Sequence, residues 1–268
     1  MKTTEKRVSQ RTVSRKNPKK SPNRFLIYMA ICVLIVLASQ MRIPRMPQIA
    51  DPGTIRELNT PEETGTAEEL EEDPVETTAG EGLSFEDIPE YSGSIYTDIN
   101  DGEPAFTESD KERLSISGYE YYSALDGLGR CGYCEACVGP ETQPESEERG
   151  EIWEVHPSGW RSGQGWERCH LIAWALTGEN ANDHNLVTGT HQMNVDGMLP
   201  FEIEVAEAAD KGKHVMYRVS PIYNGFELIP RGVHMEAESI EDDSVSFNVF
   251  VYNVEDGKII DYRSGYMR

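Results

Sequence analysis

Residues 165–202 read GWERCHLIAWALTGENANDHNLVTGTHQMNVDGMLPFE, the densest run of chemistry-bearing side chains in this 268-residue chain. His170 stands two residues beyond Arg168. Asn180, Asn182, Asn185 and Asn194 follow, and Glu202 closes the run. A neutral imidazole with an ordinary pKa near 6.5 takes a proton from water at physiological pH. Amide and carboxylate oxygens are hard donors that suit a small divalent cation. A guanidinium grips two phosphate oxygens, which makes Arg168 and the more distant Arg218 candidates for substrate binding. Taken singly, each residue also has a plain structural reading. A histidine beside an apolar run is commonly a satisfied core residue, asparagines form turns and caps, and Arg218 suits a strand surface.

Order and spacing carry more than the single residues do. Glu167-Arg168-Cys169-His170, then Asn185, then Asn194 nine residues later, then Glu202 within NLVTGTHQMNVDGMLPFE, resembles the DNA/RNA non-specific endonucleases of the ββα-metal, or His–Me finger, class. The likeness extends to EERGEIWEVHPSGW upstream and to HVMYRVSPIY and GVHMEAESI downstream, so it covers about residues 115–268. Within the class, the membrane-associated DNA-entry nucleases and secreted nucleases of Gram-positive bacteria are the most similar. The resemblance implies His170 as general base, with Arg168 and Glu202 as further catalytic residues. It implies Asn194 as the direct metal ligand and Glu202 as a holder of metal-bound waters. Asn185 is expected to orient the site or join the metal environment. The implied cofactor is Mg²⁺, with Mn²⁺ able to substitute, and the implied substrate is DNA and also RNA, without sequence preference. Two positions depart from the pattern: the class often has Asp and Gly where this chain has Glu167 and Cys169.

The chemistry fits those residue types. Phosphodiester hydrolysis needs an activated water, charge relief at the phosphoryl oxygens and help for the leaving oxygen. Mg²⁺ keeps several waters and takes few protein ligands, so one amide oxygen suffices as its anchor.

The elements that must position these residues form an α+β domain over 111–268, with a central antiparallel sheet and flanking helices. Period-two alternation predicts strands at 214–219, 225–229, 233–238 and 244–254, with a last strand at IIDYRSG. A short strand is expected at 150–154. Helices are expected at 188–195 and 200–211, Pro200 suiting a first helical position. Residues 117–128 read as helix or loop.

Charge divides the chain into three pieces. Residues 1–48 carry +10, residues 49–110 carry −18 and residues 111–268 carry −14, a net −22 that excludes a histone-like coating protein. Nine Lys/Arg within residues 2–24 precede an uncharged run of 17 residues, Phe25 to Met41. That run is long enough for one transmembrane helix. The basic flank keeps residues 1–24 in the cytoplasm and sends the remainder outside. We read 25–41 as an uncleaved signal anchor on the cell membrane, with secretion after signal cleavage as the alternative. Residues 42–110, rich in Glu, Pro and Thr, read as an acidic disordered tether, although the stretch from Ser84 to Asp101 has alternating apolar residues that suit an early strand.

Cys131, Cys134 and Cys137 form C-x₂-C-x₂-C. Disulfides, free thiols and a metal half-site are all compatible with that spacing. Two functions compete. One is an extracellular, membrane-anchored, Mg²⁺-dependent endonuclease. The other is a catalytically weak surface protein that binds nucleic acid or another partner through the same fold. Joint presence of His170, Asn194 and Glu202 favours the enzyme.

Overall fold

Alternating apolar side chains between residues 215 and 252 form the centre of an antiparallel sheet. The computed structural model describes residues 82–145 and 149–268. In chain order its strands are β1 (Tyr96–Asp98), β2 (Glu120–Tyr122), β3 (Cys134–Val138), β4 (Glu167–His170), β5 (Leu186–Gly189), β6 (Val215–Ile222), β7 (Gly232–Ser239), β8 (Ser246–Tyr252), β9 (Ile260–Asp261) and β10 (Tyr266–Met267). The helices are α1 (Glu108–Leu114), α2 (Trp174–Thr177) and α3 (Leu199–Asp210). Six strands make the main sheet in the order β1-β8-β7-β6-β3-β2, while β4–β5 and β9–β10 are separate two-stranded ribbons.

Strand periodicity sorts the sheet into two faces. On β6, Val215, Tyr217 and Val219 enter the main core together with Val205, Ala206, Ala208 and Ala209 of α3. Met216, between them, packs on the opposite side with Phe106 and Leu114. The alanines of α3 let its backbone approach the sheet closely. The β4–β5 hairpin feeds its Cys169 and Val187 into the same core as α3. Immediately after it, residues Gln192–Met198 form a π-helical turn, in which the Leu199 N–H reaches back to the Asn194 carbonyl, and this turn runs straight into α3. Two antiparallel strands followed by a helix are therefore laid on one face of the sheet.

Several expected elements lie elsewhere. Residues 186–189 are strand, so helical structure begins only at 192 rather than at 188. Residues 225–229 turn instead of extending, and Gly225 has φ +52°, outside any strand conformation. Residues 150–154 form no strand. Strand β3 went unpredicted because its sequence, CEACV, looks like a cysteine motif, yet all five residues are buried. A boundary at 110/111 would cut α1, whose Thr107 cap accepts from the Asp110 N–H while the Asp110 carboxylate returns to the Thr107 N–H. The folded part starts earlier still. Strand β1 pairs with β8, and Leu83, Phe85, Ile88 and Ile99 pack around Phe250 and Tyr252. The tether expected over 42–110 thus gives way to domain structure from 82 onward, because these apolar residues have a sheet to bury against. The expected membrane helix, 25–41, lies outside the described residues, as do residues 1–24 and the tether as far as residue 81. Among the described residues no helix is long and apolar enough to cross a membrane.

Gly197 marks where the π-helical turn meets the sheet: a Cβ there would stand 2.3 Å from Val251 Cγ1 and 3.2 Å from Ile95 Cγ1. Gly197→Ala is expected to cost about 1–3 kcal/mol by overpacking. Adding Val251→Ala, which removes the clashing methyl, should recover part of that loss, and urea unfolding of the single and double variants measures both.

Candidate active site

His170 is the last residue of β4 and is 6% exposed. Its Nε2 lies 2.8 Å from the Asn180 carbonyl oxygen, and its Nδ1 lies 2.9 Å from Nη2 of Arg149. A carbonyl only accepts and a guanidinium only donates. Both contacts require the neutral tautomer with hydrogen on Nε2 and the lone pair on Nδ1. Burial, with the Arg149 charge adding to it, pulls the imidazole pKa down to about 4, against a smaller opposite effect of the Asn180 bond. The ring is therefore an unprotonated base throughout the neutral range.

Glu202 lies in the first turn of α3. Burial pushes its carboxyl up to about 8, opposed by the charge of Arg149. It also sits within electrostatic reach of Cys169, the residue before His170, and of Tyr217 beneath α3. No hydrogen bond to its carboxyl comes from a described residue.

Asn194 belongs to the π-helical turn, a distortion that recurs at functional sites. Its Nδ2 donates to Glu167 Oε2 at 2.8 Å, and His191 Nδ1 meets the other Glu167 oxygen at 2.7 Å. The carboxylate fixes which end of the amide is nitrogen, so Asn194 Oδ1 points away from Glu167. Among the described residues nothing donates to it. Glu167, noted as a departure from the pattern, is thus the group that orients Asn194. The turn beneath is clamped: Thr190 Oγ1 accepts from the Met193 N–H and donates to the Val254 carbonyl, and the buried Asn253 holds the Thr190 N–H. An oriented, unpartnered amide oxygen and a carboxyl without a hydrogen-bond donor are the donor set a weakly ligated Mg²⁺ would accept. Among the described residues no three His, Cys, Asp or Glu side chains gather as a metal cage.

Three further expected site residues have their polar groups engaged by the protein itself. Asn185 is fully buried, its Oδ1 accepting from the Ile172 N–H at 2.8 Å and its Nδ2 donating to the Ile172 carbonyl at 2.9 Å. Its amide is consumed in pinning the segment after His170, the orienting one of its two expected roles. Arg168 donates to the carbonyls of Val155 and Trp153 at 2.5 and 2.7 Å and stacks on Trp160, 3.9 Å from the ring centre. That guanidinium ties down the loop over β4 and does not aim at a phosphate. Arg218 faces the opposite side of the sheet. Glu135, Arg218 and Glu236 are direct cross-strand neighbours, and Arg218 pairs with both carboxylates and with Asp110 of α1, at 3.1, 3.2 and 2.5 Å. Arg113 completes this network. Such paired, buried charge is structural.

The cysteines among the described residues are free thiols: Cys131, Cys134, Cys137 and Cys169 are all buried and unpaired. Cys134 and Cys137 lie three apart on one strand and so face opposite sides, which rules out a shared half-site. Burial raises all four, Cys131 to about 12 and Cys137 to about 11, so none is a ready thiolate. Cys169 Sγ fills space over Gly189, where a Cβ would come within 2.5 Å of it. Arg149 was not singled out from the sequence, and neither was Trp153, which is exposed beside Arg168.

Residues 110–241 match the family model described as DNA/RNA non-specific endonuclease. Those residues form a domain of that family. Similar solved structures agree. NucA from Streptococcus agalactiae with magnesium ion bound is 25% identical, with TM-score 0.55 over 64% of this chain and 86% of that one. The same nuclease with no metal bound has TM-score 0.57 at 25% identity, over 69% and 92%. Sda1 nuclease with bound zinc ion is 27% identical, with TM-score 0.51 over 56% and 81%. This endonuclease shares with them a mixed α/β fold around a central antiparallel sheet.

Two outcomes separate staple from ligand. Asn185→Ala should lower stability by roughly 2–6 kcal/mol, since it strands two buried backbone groups at roughly 1–3 each. Asn194→Ala should leave the melting temperature near that of the parent. Glu202 gives a pH signature. Its carboxyl ionises near 4.5 when unfolded and near 8 when folded. Between those values only the unfolded chain releases the proton, so stability falls as pH rises through the window. In EDTA, Glu202→Gln should melt higher than the parent, with a gap that widens from pH 5 to pH 8.

Proposed function

We propose that this protein is an extracellular, membrane-anchored, Mg²⁺-dependent endonuclease that hydrolyses DNA, and RNA as well, without sequence preference. The observation that carries the reading is His170 Nδ1, a neutral, tautomer-fixed lone pair in the same cluster as Glu202. The β4–β5 hairpin with the following helix is, in this reading, the ββα-metal unit. Residues 25–41 are the signal anchor, residues 1–24 face the cytoplasm, and the acidic segment after the anchor carries the nuclease domain away from the membrane.

In the mechanism, His170 Nδ1 takes the proton of the attacking water as its oxygen closes on phosphorus. The Asn180 carbonyl holds Nε2–H and so stabilises the imidazolium that forms, as the bond strengthens when the ring is charged. Asn194 Oδ1, aimed by Glu167, would hold Mg²⁺ directly, and Glu202 would hold its waters. Bound there, the cation would offset charge at the phosphoryl and leaving oxygens. Magnesium bound in one similar nuclease and zinc in another support a divalent ion as the cofactor. Arg168 contributes by keeping the 153–160 loop on β4.

The deciding experiment is plasmid degradation by the purified protein with Mg²⁺ and with EDTA. His170→Ala should cost roughly 10²–10⁴-fold in rate with the fold intact. Glu202→Ala should cost about 10–100-fold in metal affinity, as loss of an outer contact does. Arg218→Ala should lower stability without raising KM. Undiminished cutting in EDTA sinks the metal-dependent reading, and absence of cutting with Mg²⁺ leaves only a binding protein.

A further inference from the structure

Both ring nitrogens of His170 are engaged: Nε2 by the Asn180 carbonyl and Nδ1 by Arg149 Nη2 at 2.9 Å. A lone pair that accepts from a guanidinium is not free to accept from water. Arg149 must therefore leave before the imidazole can act as a base. Its attachments are of a kind that allows this. Arg113, Arg130, Arg218 and Arg231 each form an ion pair with a carboxylate. Arg149 forms none among the described residues. It donates instead to two neutral acceptors, the imidazole and Asn180 Oδ1, the latter at a long 3.3 Å. The residue is exposed overall, while its guanidinium is desolvated and lies within electrostatic reach of Glu202, a looser hold than a direct ion pair.

A phosphodiester offers that guanidinium two anionic oxygens in place of one neutral nitrogen, and charge-assisted bonds of this kind are about twice as strong as neutral ones. Resting on the nuclease reading above, we propose that Arg149 covers the His170 lone pair in the free enzyme and is transferred to a substrate phosphate when nucleic acid binds. The base is then uncovered only in a loaded site. No bond is made or broken in this step: one hydrogen bond is exchanged for another, and the water that follows finds Nδ1 open.

The test uses the full chain with ¹⁵N-labelled histidine, in EDTA so that no turnover occurs, with a short oligothymidylate as probe. His170→Gln identifies the resonance. In the wild type, Nδ1 of His170 should move toward the position of a free imidazole lone pair as oligothymidylate saturates. In Arg149→Ala it should start there and stay. Steady-state cleavage of the same DNA with Mg²⁺ should show KM raised roughly 10- to 100-fold in Arg149→Ala, the value of a hydrogen bond to a charged group, with partial recovery in Arg149→Lys. An unmoved wild-type Nδ1 at saturating DNA overturns the proposal, even where plasmid is cut normally. So does an Arg149→Ala variant that melts lower yet keeps the wild-type KM, since that marks a purely structural arginine. A wild-type protein that cuts no plasmid with Mg²⁺ overturns the nuclease reading and this proposal together.

Discussion

A backbone carbonyl can accept a hydrogen bond but never donate one, and the chemistry of this site rests on that asymmetry at Asn180. Because the Asn180 oxygen takes Nε2–H of His170, the imidazole has one lone pair and one direction in which to use it. The loop carrying Asn180 must then be fixed relative to the end of β4. Asn185 does this by closing both its amide bonds on Ile172, two residues beyond the histidine, while the Leu171 N–H reaches the Asn185 carbonyl. The loop between β4 and β5 is thereby tied at its two ends, and the tautomer follows from the backbone.

The same separation of duties explains where the arginines went. Positive charge in this acidic domain is scarce, and most of it is spent internally. Arg218 and Arg113 hold three carboxylates on the face of the sheet away from α3, where the Glu135–Arg218–Glu236 row joins β3, β6 and β7 across their register. For Asp110, burial acts to raise its carboxyl, but the Thr107 bonds and the two arginines outweigh it and hold it well below the usual range. That network fastens α1 to the sheet. A domain built this way draws little nucleic-acid affinity from counterion release over its general surface. Its attraction for phosphate has to be local, at the few cations not already matched.

The main sheet and α3 were legible because β-branched and aromatic alternation at 215–252 and the FEIEVAEAA run are strong periodic signals. His170, Asn194 and Glu202 were singled out through order and spacing. What failed to show follows from chemistry that looks alike in sequence. An asparagine that staples backbone and one with a free amide oxygen have the same side chain, so whether Asn185 orients the site or joins a metal environment could not be decided until burial was known. Arg168 and Arg218 are arginines in suggestive places, yet partner geometry decides their role. Arg149 acts on a histidine 21 residues away through a loop whose path no periodicity records. Strand β3 was hidden by its cysteines, although spacing three on an extended chain already places Cys134 and Cys137 on opposite faces.

The π-helical turn then carries the remaining logic. A regular α-helix from residue 191 onward would rotate Asn194 with every neighbour, tying its direction to the packing of α3. The wider turn, closed by Leu199 N–H on the Asn194 carbonyl, lets residues 192–198 follow a separate path before α3 takes up its register against β3 and β6. Glu167, on the facing strand, can then set the amide's direction through Nδ2. Gly197 permits it, since no larger residue fits against Val251 without displacement. The carboxylate is held in turn by His191, whose own pKa the Glu167 bond raises. Asn194 is thus aimed by the hairpin and merely supported by the helix, so the histidine and the asparagine share β4 as their common reference.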